Sequence, residues 1–199
     1  KRPTHTARRL PIRMFELKCP HLVNADTHLL QPHSDHAREL FALIQSNLTH
    51  LNQWLSWPAL MNTPLDVATF LHPAARHNRA GTALILLLQY QGKICGVLSY
   101  NDFQAHEGSA NIGYWLGEAY QGDGIVSTAL PVLVQYGFTQ LGLKQVFIRV
   151  AEGNDKSAAI PKRLGFQLIE TAHAAEVINQ QTVDHQVYVM RKENWIGCE

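Results

Sequence analysis

Gln121-Gly122-Asp123-Gly124-Ile125-Val126 and, further on, Asn154-Asp155-Lys156-Ser157-Ala158-Ala159-Ile160-Pro161-Lys162-Arg163-Leu164-Gly165-Phe166 are the two stretches on which the fold reading turns. The first follows an extended run, Asn111 to Leu116, and precedes Ile125, Ala129, Val132, Leu133 and Tyr136 at helical spacing. The order is therefore strand, glycine turn, helix. Glycines let the chain turn tightly and bring its N–H groups close to a ligand, and the helix N-terminus adds partial positive charge. A phosphate or pyrophosphate fits such a place, although two glycines alone would equally mark an ordinary turn. Pro131 inside this helix removes a backbone donor and predicts a kink. In the second stretch Asn154 is placed to cap a short helix that Gly165 ends. Pro161 sits at the limit of what so short a helix tolerates.

Working outward, Leu22 to Gln31 predicts a first strand, ended by Pro32, with Ser34 as N-cap of a helix from about Asp35 to Asn47. Ala37, Leu40, Phe41, Ile44 and Leu48 recur at three and four, which puts them on one buried face. Pro64 at a first helical position opens a second helix that stops before Gly81. Ala83–Tyr90 and Lys93–Asn101 flank Gln91-Gly92, a two-residue connection expected of a tight antiparallel hairpin. Val146–Val150, Phe166–Thr171 and Asp184–Met190 complete the strands. The pattern predicts an α/β (α+β) fold: a mixed, mostly antiparallel sheet of about seven strands flanked by about four helices. No repeat or linker divides it, so residues 14–199 read as one domain.

Composition narrows the function classes. With 46% hydrophobic and 17% charged residues the chain can bury an ordinary globular core. A formal net charge of +1 gives no field to gather nucleic acid or an anionic membrane, so any charged ligand is held locally. Cys19, Cys95 and Cys198 lack C-x-x-C spacing, which predicts neither disulfides nor a zinc knuckle and fits a reducing cytoplasm. The apolar run Ala83 to Leu88 is far shorter than the ~20 residues a bilayer demands. No metal site is expected: His33 and His36 have no third ligand nearby. Residues 1–13 are rich in Arg and Lys, but Pro3 and Pro11 break an amphipathic helix and Met14 is a natural start. They are expected to be a disordered, dispensable extension.

Taken in order, the loop at Gln121 and the Asn154–Phe166 helix resemble the GCN5-related N-acetyltransferase superfamily: Gln-x-x-Gly for its coenzyme A loop, and Asn-x-x-Ser ending in Gly-Phe for its short helix. Leu51-Asn-Gln-Trp-Leu-Ser-Trp-Pro58, Ile112-Gly-Tyr-Trp-Leu116 and Ala175-Glu176 are similar to the subgroup that acetylates ribosomal-protein N-termini. The likeness covers roughly Leu22 to Met190. It implies an N-acetyltransferase that uses acetyl-coenzyme A, acts on a protein N-terminal serine or alanine, and is a homodimer. Two departures stand out: Val126 replaces a small residue, and Asp123 places an acid beside the expected pyrophosphate.

Resemblance also suggests roles. Trp115, Leu116, Gln121, Gly122, Asp123, Gly124, Ile125, Val126, Asn154, Ser157 and Arg163 would bind the coenzyme, the strand Tyr114–Leu116 being splayed so that freed amides meet the thioester. Lys156, Lys162 and Arg163 either meet the adenosine phosphates or face water. Ser157 either donates to the departing sulfur or completes the cap. Glu176, in a loop-like stretch, is the candidate base or a solvated surface acid. Trp54, Trp57 and Tyr114 would meet the acceptor, unless the tryptophans are simply core. Two other functions remain: acetylation of a small amine (amino acid, polyamine or aminoglycoside), and a non-catalytic coenzyme A sensor.

Overall fold

The computed structural model describes residues 21–80, 82–104 and 106–197. The arginine-rich residues 1–13 lie outside them. Eight strands form one sheet: β1 (His21–Leu22), β2 (Thr27–Leu30), β3 (Leu84–Tyr90), β4 (Lys93–Gln104), β5 (Ser109–Leu116), β6 (Gln145–Ala151), β7 (Gln167–Ile178) and β8 (Gln181–Arg191). Their order is β1-β2-β3-β4-β5-β6-β8-β7. Every neighbouring pair is antiparallel except β5 with β6, which run parallel. Five α-helices accompany it: α1 (Ala37–Ser46), α2 (Leu48–Leu51), α3 (Pro64–Ala80), α4 (Ile125–Thr139) and α5 (Asp155–Arg163).

The sheet has one strand more than expected because the stretch read as a first strand folds back on itself. Asn24 accepts hydrogen bonds on its side-chain oxygen from the amides of Asp26 and Thr27, at 3.0 and 2.8 Å, and so turns the chain between β1 and β2. The cap ahead of α1 also differs: His33, not Ser34, caps a 3-10 turn, its Nδ1 accepting from the Asp35 amide while His36 Nδ1 accepts from the His33 amide. The extra helix is the single turn α2.

The hairpin at Gln91-Gly92 has both residues left-handed, φ 48° and 79°, as a two-residue turn between twisted strands requires. One face of the sheet packs Leu86, Leu88, Leu98, Tyr100, Ile112 and Ile148 against α4 and α5. The other packs Leu87, Ile94 and Val97 against α1 and α3. Pro131 lies inside an unbroken α4, and the buried Tyr100 hydroxyl donates to the Leu133 carbonyl of that helix at 3.0 Å.

The final strands are longer than their sequence suggested. β7 and β8 continue past the body of the sheet as a two-stranded arm, with register shifts at Leu168/Glu170 and Ala172/Glu176. Its tip, Asn179-Gln180, is left-handed at φ 51° and 64°. Asn179 Nδ2 donates to the Asn52 carbonyl at 2.7 Å, fastening the arm to the chain just after α2.

Candidate active site

Parallel pairing between β5 and β6 runs only from Ser109/Gln145 to Ile112/Ile148, and the two strands then part from each other, continuing to Leu116 and Ala151 paired only on their outer sides with β4 and β8. A cleft opens between them, with Tyr114, Trp115 and Leu116 on one wall. Because these two strands point the same way, the helices that follow them, α4 and α5, both begin at the cleft's open end. Two helix N-termini converge there, each with orphan amides and partial positive charge.

The turn into α4 is shaped to present those amides. Gly122 and Gly124 hold φ values of 94° and 74°, with nothing within 4 Å of where a side chain would start. The amides of Gly122, Asp123, Gly124, Ile125, Val126 and Ser127 meet no acceptor among the described residues. Ile125 and Val126 send their side chains into the core at 2% and 3% exposure, so the branched Val126 cannot obstruct the cradle. Asp123 is exposed and points its charge to solvent.

Gln121 ties the rim together. Its Nε2 donates across 2.7 Å to His50 Nε2 at the end of α2, which fixes that imidazole nitrogen as the acceptor. Its Oε1 accepts from Lys156 Nζ at 3.1 Å, holding a cation beside the cradle. Arg163 is exposed in the last turn of α5 and joins no ion pair among the described residues.

Asn154 caps α5 by accepting from the Ser157 amide at 3.2 Å, so the cap leaves the Ser157 hydroxyl free for other work. That hydroxyl donates to Tyr114 Oη at 3.3 Å, while the Tyr114 phenol donates to the Ser157 carbonyl at 2.9 Å. Pro161 explains the second bond. In a regular helix the residue four places on would donate to the Ser157 carbonyl, and proline has no N–H to give. Burial, opposed in part by the Ser157 bond, pushes the Tyr114 phenol up to about 12, so it holds its proton at neutral pH.

The opposite side of the cleft mouth is built from the arm and the segment after α2. Glu176 lies on β7, not in a loop: residues 172–176 carry a bulge, with Ala174 at φ 50°, that disguises the strand. One Glu176 oxygen accepts from the Ser56 hydroxyl at 3.2 Å, and the other lies 3.4 Å from His185 Nε2 on β8. His185 is registered against Ala151, the last residue of β6, which places the pair beside the cleft. Trp57 meets Trp115 with ring centroids 5.8 Å apart and also packs on the α1–α3 core. Trp54, half-buried, reaches Gly153 ahead of Asn154. Thus the structure gathers Tyr114, Trp115, Gln121, the cradle, Asn154, Ser157, Trp54, Trp57 and Glu176 at one end of the sheet and leaves Arg163 apart. Ser56 lies within the Leu51–Pro58 stretch, where the tryptophans drew the reading, and His50 and His185 carried no motif by which sequence could single them out.

The comparisons agree with this geometry. The acetyltransferase (GNAT) domain model matches residues 27–167. The ribosomal-protein-serine acetyltransferase of Escherichia coli (strain K12) is 31% identical over 155 residues, 77% of this chain and 86% of that protein. The structure of the microcin C7 self-immunity acetyltransferase MccE, in complex with acetyl-CoA and AMP, superposes with a TM-score of 0.82 at 36% identity, covering 85% of this chain and 94% of that one. The structure of RimL, a ribosomal L7/L12 alpha-N-protein acetyltransferase in complex with coenzyme A, gives 0.83 at 26% identity, covering 87% and 98%. A cradle of unpartnered amides with a lysine at its rim fits the diphosphate of that coenzyme. The chain therefore belongs to the GNAT family as an N-acetyltransferase whose donor is acetyl-coenzyme A.

Proposed function

We propose that the acceptor is the N-terminal amine, serine or alanine, of a ribosomal protein. The observation that carries this is Glu176, a carboxylate fixed from two sides beside the cleft, at a mouth that includes Trp54, Ser56 and Asn179. The 31% identity to a ribosomal-protein-serine acetyltransferase supports it. A mouth walled by Trp54 and Trp57 suits a thin, mobile chain terminus better than a lysine on a folded surface.

When bound, acetyl-coenzyme A supplies an electrophilic thioester carbonyl. The amides from Gly122 to Ser127 grip the diphosphate, and the freed edge of β5 at Tyr114–Leu116 orients the acyl arm. Glu176 attracts the acceptor's ammonium and takes its proton, since only the neutral amine is nucleophilic. Tyr114, still protonated because burial raises its phenol, is held with its O–H on the Ser157 carbonyl and rotates that O–H toward the departing sulfur as the C–S bond breaks, with the Ser157 hydroxyl beside it. Lys156 and Gln121 steady the rim.

Mass spectrometry of an acceptor panel incubated with acetyl-coenzyme A tests the assignment. Ribosomal-protein N-terminal peptides are expected to gain one acetyl group on the terminal residue; acetylation confined to small amines would overturn it. A small amine is the second reading, favoured by the 36% identity to MccE, whose structure holds AMP beside acetyl-CoA. Polyamines, aminoglycosides and amines carrying AMP therefore belong in the panel. A cytoplasmic homodimer goes with the ribosomal reading, and light scattering of the purified chain checks its mass. Among the described residues no helix is long and apolar enough to cross a membrane.

A further inference from the structure

We infer that His185 is a positioning residue for the acceptor carboxylate, and that its charge sets how well the enzyme captures an amine as pH falls. This rests on the reading of Glu176 as the group that receives the acceptor.

Four observations carry it. His185 Nε2 stands 3.4 Å from one oxygen of Glu176, whose other oxygen is taken by the Ser56 hydroxyl at 3.2 Å. The His185 side chain is only 13% exposed, whereas that of Glu176 is 38% exposed, so the imidazole backs the carboxylate from the protein side. The neighbouring acid, Asp184, is already committed: its oxygens accept from the Ala174 amide at 2.9 Å and bond His173 Nδ1 at 2.6 Å. The bulge in β7 that lifts Ala174 out of register is what separates these two carboxylate–imidazole pairs.

The charged groups around His185 come from each element packed on it. β7 contributes Glu176 and, through Asp184, His173; β8 contributes Asp184; the end of β6 contributes Ala151 opposite His185, followed by Glu152, whose amide donates to the Asp184 carbonyl. Glu176 alone among them forms an ion pair with the ring among the described residues, and Asp184 acts on it through space. A neutral imidazole turns Nε2 to the carboxylate across 3.4 Å, a polar contact rather than a hydrogen bond, and backs it toward the mouth. A protonated one competes with the incoming ammonium for the same oxygens. The amine's proton goes to Glu176 as the C–N bond forms and the C–S bond breaks; His185 takes no part in that transfer.

The test uses the full chain with acetyl-coenzyme A and a serine-initiated peptide, at about pH 6 and about pH 8, on either side of the range where histidine changes charge. Thermal melts first establish that each variant folds. At the higher pH, His185→Gln, which keeps a neutral polar group, is expected to retain more of the parent's kcat/KM than His185→Ala does. At the lower pH it is expected to show a lower KM for the peptide, because the competing cation is gone. His185→Ala is expected to lose about two- to fivefold in kcat/KM at the higher pH, the usual worth of one partly exposed polar contact to a charged group. In spectra of the free protein labelled with nitrogen-15 histidine, the His185 ring signals are expected to move in Glu176→Gln. Wild-type kcat/KM in both His185 variants at both pH values, or equal loss in both, would overturn the inference. Full activity of Glu176→Gln would instead remove the carboxylate's role, and the inference with it.

Discussion

The two sides of the cleft mouth are made of different material. We assign one side to the coenzyme and the other to the acceptor; the coenzyme side is backbone: six amides at the start of α4, the freed edge of β5 and the cap of α5, needing from sequence only glycines at 122 and 124 and Asn154. The acceptor side is side chains, with Ser56, Glu176 and His185 drawn from segments far apart and joined by single hydrogen bonds and contacts. A site written in the backbone tolerates change in its side chains and fails with its geometry. A site written in side chains does the opposite, and that contrast can be broken experimentally.

The largest effect belongs to the acceptor side. Glu176→Gln keeps the shape and the Ser56 contact but removes the base, so kcat is expected to fall by roughly a hundred- to ten-thousandfold with little change in coenzyme affinity, measured by steady-state kinetics and calorimetry. Gly124→Val comes next: space is open there, but φ 74° is strained for a branched residue. A cost of about 1–2 kcal/mol in stability and at least a tenfold weaker grip on acetyl-coenzyme A are expected, read by thermal melts and calorimetry.

Tyr114→Phe is expected to lower kcat by roughly tenfold and stability by about 1–3 kcal/mol, because the Ser157 carbonyl loses its donor. The parent's pH profile sharpens this. A phenol raised in the folded state contributes stability that is complete below its unfolded value of about 10 and lost as pH climbs toward the folded value of about 12. Ionisation of Tyr114 should therefore remove no activity between about pH 7 and pH 10. The smallest effect is Asp123→Asn, an exposed charge facing solvent: a decrease in KM for acetyl-coenzyme A of no more than about twofold, vanishing as salt is added.

The same contrast explains what could be read from sequence. The Gln91-Gly92 hairpin, Pro64 at the head of α3, the glycine entry to α4 and the Asn154 cap were legible because each conformation is dictated within a few residues. The β1–β2 fold-back hid behind Asn24, whose turn uses one side chain inside an otherwise strand-like run. β7 was cut short because it is an edge strand, exposed along most of its length, and its two register shifts erase the alternation that marks a strand. Glu176 was singled out by likeness and expected in a loop-like stretch, whereas it lies on β7. His185, one of eleven histidines, gains meaning only when β8 is laid beside β7.

Pro161 sat uneasily in its short helix as a sequence feature, and the structure makes it the reason Tyr114 has a fixed heading. With no amide arriving from Pro161, the Ser157 carbonyl turns to the phenol without a rival. The residue that weakens α5 thus steers a side chain on a different element, and restoring the missing amide, as Pro161→Ala would, would firm the helix while giving the tyrosine a rival for that carbonyl. A more stable protein would then be the poorer catalyst.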